Sequence, residues 1–157
     1  MVTWYMNTNL PFGPGAAGHL SDDQFVAAFE SVTLAEDRFR HADHVRLGWI
    51  YLGRMSLVDT IAHYGEGLRR FAAAHGAPDR YHETVTWALL VIIHQRMRRG
   101  GEVRSWTEFA AANADLLRWR DGPLFEHYDS GILDSREARD FFVLPPRFDP
   151  RRGRESG

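Results

Sequence analysis

The chain has 157 residues, 44% of them hydrophobic and 13% aromatic, with a formal net charge of -2 and no cysteine. That length suits a single domain able to bury a real core. The nearly balanced charge gives no case for a nucleic-acid partner, and the lack of cysteine excludes disulfides and thiolate metal sites. Every cationic side chain is an arginine, which closes Schiff-base lysine chemistry.

The segment from Met1 to Met6 lacks the cationic start and long apolar run of a secretory signal. No apolar stretch reaches the roughly 18 residues that span a bilayer. A cytoplasmic protein is expected. Residues 1–20, dense in Gly and Pro around Pro11-Phe12-Gly13-Pro14-Gly15, are predicted to form a flexible arm without chemistry. Ser21-Asp22-Asp23-Gln24 reads as a capping box for a first helix to about Glu30, carrying Phe25, Val26 and Phe29 at helical spacing. Thr33-Leu34-Ala35-Glu36 repeats the capping pattern.

Three long helices should follow. The first begins near His41 and carries Val45, Leu47, Ile50 and Leu52. The second is capped by Ser56, bears Leu57, Ile61, Tyr64, Leu68, Phe71 and His75 as a bundle stripe, and ends at Gly76 and Pro78. The third runs from about Asp79 to Arg99, with Arg96, Arg98 and Arg99 at the negative end of its dipole. Ser105-Trp106-Thr107-Glu108 opens a further helix through Phe109, Leu116 and Leu117. Shorter helices start near Asp121 and Ser135, and Pro145-Pro146 ends regular structure. Residues 21–146 are thus expected to form one all-α domain, a compact bundle with an up-down-up core of three long helices and shorter flanking ones. Residues 147–157 should be a disordered Arg-rich tail.

Short connections make the first and third long helices parallel, so their N-termini share one end of the bundle with the C-terminus of the second. His41, His44, His75, His82 and Glu83 then gather there. Residues three apart share a helix face, so His41 and His44 can converge on one object, and Gly48 leaves space beside them. A helix N-terminus disfavours imidazolium, and neutral imidazole ligates metals. The expected site is a mononuclear divalent metal, iron, manganese or zinc, on His41, His44, His82 and Glu83. Glu83 and Tyr81 are the candidate catalytic residues, and His75 and Gly48 are pocket residues. No nucleotide cofactor is expected.

Known metal patterns fit only in part. In His82-Glu83-Thr84-Val85-Thr86 a threonine replaces the second histidine of a zinc-protease motif. Glu-x-x-His pairs of the di-iron type are missing, and Asp43-His44 reverses the His-Asp order of HD phosphohydrolases. The predicted function is metal-dependent transformation of a small organic molecule, with iron oxygen chemistry and zinc hydrolysis both open. A metal-free enzyme with Glu83 as base is a second route. The alternative is a metal-free ligand-binding or structural helical protein in which the histidines form a polar network. The expected partner is a small-molecule substrate, without nucleic acid or membrane, and a homodimer is allowed.

Phe39-x-His41-x-x-His44, Arg80-Tyr81-His82-Glu83-Thr84-Val85-Thr86, Tyr128-x-Ser130 and Ser135-x-x-Ala138-Arg139, in that order, resemble an uncharacterised family of small bacterial all-helical proteins. The resemblance covers residues 39–145 and brings no activity with it. It implies pocket roles for Tyr128 and Arg139. Pro145-Pro146 departs from the Pro-Asp expected in that family.

Overall fold

The computed structural model describes residues 19–102 and 105–146. The arm expected over 1–20, apart from its last two residues, and the tail expected over 147–157 lie outside the described residues. The described chain is all-α, with no strand among the described residues. Its α-helices are α1 (Asp22–Glu30), α2 (His41–Arg54), α3 (Leu57–Ala74), α4 (Glu83–Arg99), α5 (Trp106–Ala112), α6 (Leu124–His127), α7 (Ser130–Leu133) and α8 (Arg136–Asp140). Single 3-10 turns lie at Glu36–Arg38, Pro78–Arg80 and Ala114–Leu117.

Local chemistry explains the starts and stops. Ser21 and Gln24 form the capping box of α1, each side chain accepting from the other's backbone N–H at 3.2 and 3.0 Å. Ser56 caps α3 and Ser105 caps α5 in the simpler way. Two boundaries differ from expectation. The third long helix starts at Glu83 rather than Asp79, because Pro78–Arg80 form a separate 3-10 turn and Tyr81 is extended. The helix opened by Ser105 breaks at Asn113, whose side-chain amide donates to the Phe109 carbonyl at 3.0 Å and competes with helix continuation.

The expected up-down-up core is present. Arg80, just ahead of α4, pairs with Glu36, just ahead of α2, so the two helices start side by side. Further along, a Cβ at Gly48 of α2 would lie 2.9 Å from Leu90 Cδ2 and 3.1 Å from Ile93 Cδ1 of α4. The missing side chain therefore permits a close parallel crossing, and that space is filled by α4. Helix α3 returns antiparallel: Phe71, near its end, lies 5.1 Å from Phe39 ahead of α2, and His63, nearer its start, lies 4.9 Å from Tyr51 late in α2.

The core runs through Phe25, Phe29, Phe39, Tyr51, Tyr64, Phe71, Leu90 and Ile93, and reaches Phe109, Leu116, Leu124 and Leu133 in the C-terminal part. No helix among the described residues is long and apolar enough to cross a membrane.

Candidate functional site

The topology delivers the histidines to one end of the bundle, but each is committed to a different neighbour. His82 is the N-cap of α4. Its Nδ1 accepts from the Val85 N–H at 3.2 Å, so the proton sits on Nε2, which donates to the Leu133 carbonyl at 2.8 Å. Both ring nitrogens are engaged, and the side chain is 1% exposed. Burial is the main force pushing its pKa down, with the Leu133 carbonyl pulling the other way.

His41 reaches in another direction. Its Nε2 donates to the Leu116 carbonyl at 2.8 Å, and its ring meets the edge of Trp119 at 5.5 Å. Burial lowers its pKa from 6.5 to about 4, against the opposite pull of the Leu116 carbonyl. His44 lies beside Tyr64, with Nδ1 3.2 Å from the phenol oxygen. That hydroxyl donates its single proton to the His44 carbonyl at 3.0 Å, so the imidazole proton is on Nδ1. Burial, and after it the charge of His41, lowers the His44 pKa to about 3. All three imidazoles are therefore neutral at physiological pH.

His75 caps the end of α3, with Nδ1 donating to the Phe71 carbonyl at 2.9 Å and its ring 4.3 Å from that of Phe71. The phenyl rings of Phe71 and Phe39, 5.1 Å apart, carry on from it to His44, which lies 3.9 Å from Phe39. Apolar rings thus occupy the space between two of the histidines expected to share a pocket.

The carboxylates are equally committed. Asp43 accepts the Arg40 N–H at 3.0 Å and caps α2. Glu83 is 2.6 Å from Arg69 of α3, whose guanidinium lies over the Tyr81 ring at 4.1 Å. The Tyr81 hydroxyl is 3.0 Å from where a Cβ of Gly65 would stand, and burial, then the Glu83 carboxylate, raises its pKa. Arg69, Tyr81 and Glu83 together make a clasp between α3 and α4.

These commitments draw the side chains expected to share a metal towards separate partners. Among the described residues no group of three or more His, Asp and Glu is disposed to hold a metal ion. The physical reason is that the end of the bundle is also where the C-terminal elements dock, and His41 and His82 face them, while His44 and His75 turn to Tyr64 and Phe71 of α3. Gly48 lines a helix crossing rather than a pocket. Tyr128 and Arg139 also make backbone bonds: Tyr128 donates to the Val143 carbonyl at 2.8 Å and Arg139 to the Asp79 carbonyl at 2.7 Å.

Sequence reasoning missed Arg69, Tyr64 and the acceptor carbonyls of Leu116 and Leu133. For His82 a local signal exists, an imidazole directly before a helical run and after a Pro78 turn, where an N-cap is needed. For the others none does, since their partners are 14 to 75 positions away. Comparison of the chain with protein-family models, curated proteins and solved structures gives no match, so the functional reading rests on these residues.

Proposed function

We propose that this chain is a metal-free helical protein that binds a small ligand or a partner, and that its histidines are a structural polar network. The observation that carries this reading is the engagement of both His82 nitrogens, which leaves no lone pair for a metal. His41 and His82 then serve as donors that fasten carbonyls of the C-terminal elements to the bundle, and His44 orients Tyr64. A neutral imidazole suits this role, because it offers one donor and one acceptor without burying a charge. The reading keeps a cytoplasmic location and excludes nucleic acid.

The test is elemental analysis of protein purified without chelators and reconstituted with iron, manganese or zinc, run beside His82→Asn. Asparagine keeps the N-cap and is too short for the Leu133 carbonyl. The expected result is no stoichiometric metal in either protein. One metal per chain in the wild type, lost in His82→Asn, would sink the reading.

One observation favours the metal-dependent enzyme as a second reading. His41 and His44 lie one helical turn apart, both buried and both neutral, which is the ligating form. In that reading a divalent iron, manganese or zinc rests on His41 and His44, with His82 and Glu83 recruited on loading, and Glu83 and Tyr81 act on a small organic substrate. Glu83→Gln would then abolish turnover, whereas in the metal-free reading it only loosens the clasp to Arg69.

A further inference from the structure

Helix α1 is well set at its start and poorly set at its end. The capping box of Ser21 and Gln24 and the carboxylates of Asp22 and Asp23 suit its N-terminus. At the other end Glu30 places a carboxylate at the negative pole of the helix dipole, and the chain leaves through Val32 at φ 57°. The stop is a Schellman turn, in which the Val32 N–H donates to the Phe29 carbonyl at 3.0 Å and the Thr33 N–H to the Ala28 carbonyl at 2.9 Å. Such turns favour glycine at the left-handed position. A β-branched side chain there is strained, and Val32 is the one non-glycine residue with positive φ among the described residues.

Contacts beyond the helix hold this end in place. One Glu30 oxygen accepts the Tyr51 hydroxyl of α2 at 2.8 Å and lies 3.0 Å from His63 Nε2 of α3. Ser31 Oγ donates to the Ala27 carbonyl at 2.7 Å and lies 3.0 Å from Thr33 Oγ1. Val32 packs on the core, and Leu34 is buried. Strain of this kind persists only where its surroundings enforce it. Inward, Phe29 covers the rings of Phe39, Phe71 and Tyr64 at 5.3, 5.5 and 6.3 Å, and Phe39 in turn lies 3.9 Å from His44.

We propose that α1 is a lid over these rings, driven open by the strain at Val32 and held closed by the bonds of Glu30 to Tyr51 and His63. Opening lets Val32 leave the left-handed region, whereas the Glu30 bonds form only in the closed state. A helix of 9 residues with three buried side chains is too short to persist undocked, so release of its C-terminal end frees the whole element. Helix α1 therefore opens while the rest of the bundle stays folded. What it uncovers is the aromatic surface in front of the His44–Tyr64 pair.

The test is native-state hydrogen exchange of the full-length chain at pH 7, followed through low concentrations of urea. In the wild type the amides of Phe25 to Glu30 should exchange about tenfold or more faster than those of Leu89 to Ile93 in α4, and with a weaker urea dependence, the mark of partial opening. Val32→Gly relieves the strain and should slow α1 exchange about threefold or more. Val32→Ala loses the valine packing without supplying a residue at ease in the left-handed region, and should not slow it. Tyr51→Phe keeps the ring, removes its bond to Glu30, and should quicken α1 exchange about fivefold. Amides of α1 that share the urea dependence of α4, a glycine variant no slower than the wild type, an alanine variant slowed as much as the glycine one, or a Tyr51→Phe variant with unchanged α1 exchange each overturns the proposal.

Discussion

The two parts of this chain are held by different balances of apolar packing and side-chain-to-carbonyl bonding. Helices α1 to α4 meet through apolar surface: Phe29 lies within 5.3 to 6.3 Å of Phe39, Phe71 and Tyr64, and Gly48 admits Leu90 and Ile93. The part from Ala114 to Leu144 also buries Leu116, Leu124 and Leu133. It is fastened besides by side chains of the bundle that donate to its carbonyls, from His41, His82 and Thr84. Apolar packing is indifferent to protons, whereas a joint made by a neutral imidazole is not. His41 and His82 therefore make the attachment of the C-terminal part sensitive to pH, and His44, buried beside Tyr64 between α2 and α3, adds a second pH-sensitive point inside the bundle.

The largest expected effect follows from this. Folded pKa values of about 4 for His41 and about 3 for His44 lie below the ordinary 6.5. Folding therefore favours the neutral form. The stability is fully present above pH 6.5 and is lost as pH falls towards the folded values. At pH 5 each of the two residues would have surrendered about 2 kcal/mol, a large part of the stability of an ordinary domain. Urea unfolding at pH 7 and pH 5 measures it, and hydrogen exchange should show the surroundings of Leu116 and of the His44–Tyr64 contact opening as the pH falls. Equal stability at the two pH values would mean that burial of these imidazoles as the neutral form contributes nothing.

His82→Ala acts on one joint only. It removes an N-cap and a buried donor, together about 2–3 kcal/mol. Its signature is local, with faster amide exchange in α7, where the Leu133 carbonyl loses its partner, and at the start of α4. His82→Asn should recover the α4 part of that loss and not the α7 part.

Gly67→Ala tests the other side. The new Cβ would stand 2.8 Å from Phe29 Cε1, and Phe29 is locked in its aromatic stack and 1% exposed. Overpacking of about 1–3 kcal/mol exceeds the roughly 1 kcal/mol that alanine returns in helix propensity. The net loss should lower the denaturation midpoint without favouring any one region in hydrogen exchange, since it strikes the shared core. A stabilised variant would mean that the ring can move.

How far these features were legible in the sequence depends on their range. The capping box at Ser21, the stripe of α3 and the ends of the long helices are local patterns of three to four residues, and short connections dictate the parallel placement of α2 and α4. The meeting of His41 and His82 at one end followed from that topology. The direction in which each imidazole points did not, because it is decided by carbonyls of Leu116 and Leu133 that arrive from 75 and 51 positions away. Gly48 shows the same limit: a glycine beside two histidines reads equally as room for a ligand or as room for another helix, and only the approach of Leu90 and Ile93 distinguishes them. Helix α7, four residues long, has too little periodicity to be read at all.

The smallest expected effect concerns Arg69, which touches neither the histidine joints nor the aromatic stack. Its guanidinium pairs with Glu83 and covers Tyr81, but its side chain is 52% exposed, while that of Glu83 is 16% exposed. An ion pair with one solvated partner contributes about 0–1 kcal/mol, and stacking at a half-exposed site adds about 0.5–1 kcal/mol. Arg69→Gln should therefore cost about 1 kcal/mol or less, and high salt should reduce that cost in the wild type, since screening weakens exposed pairs. The measurement separates a clasp from a site. If Arg69 only joins α3 to α4, the loss is small, and Glu83→Gln and the double variant add no more than Arg69→Gln alone. A variant that became more stable would mean instead that the three side chains are held in a strained arrangement suited to a ligand, and would make Arg69, Tyr81 and Glu83 the first place to search for one.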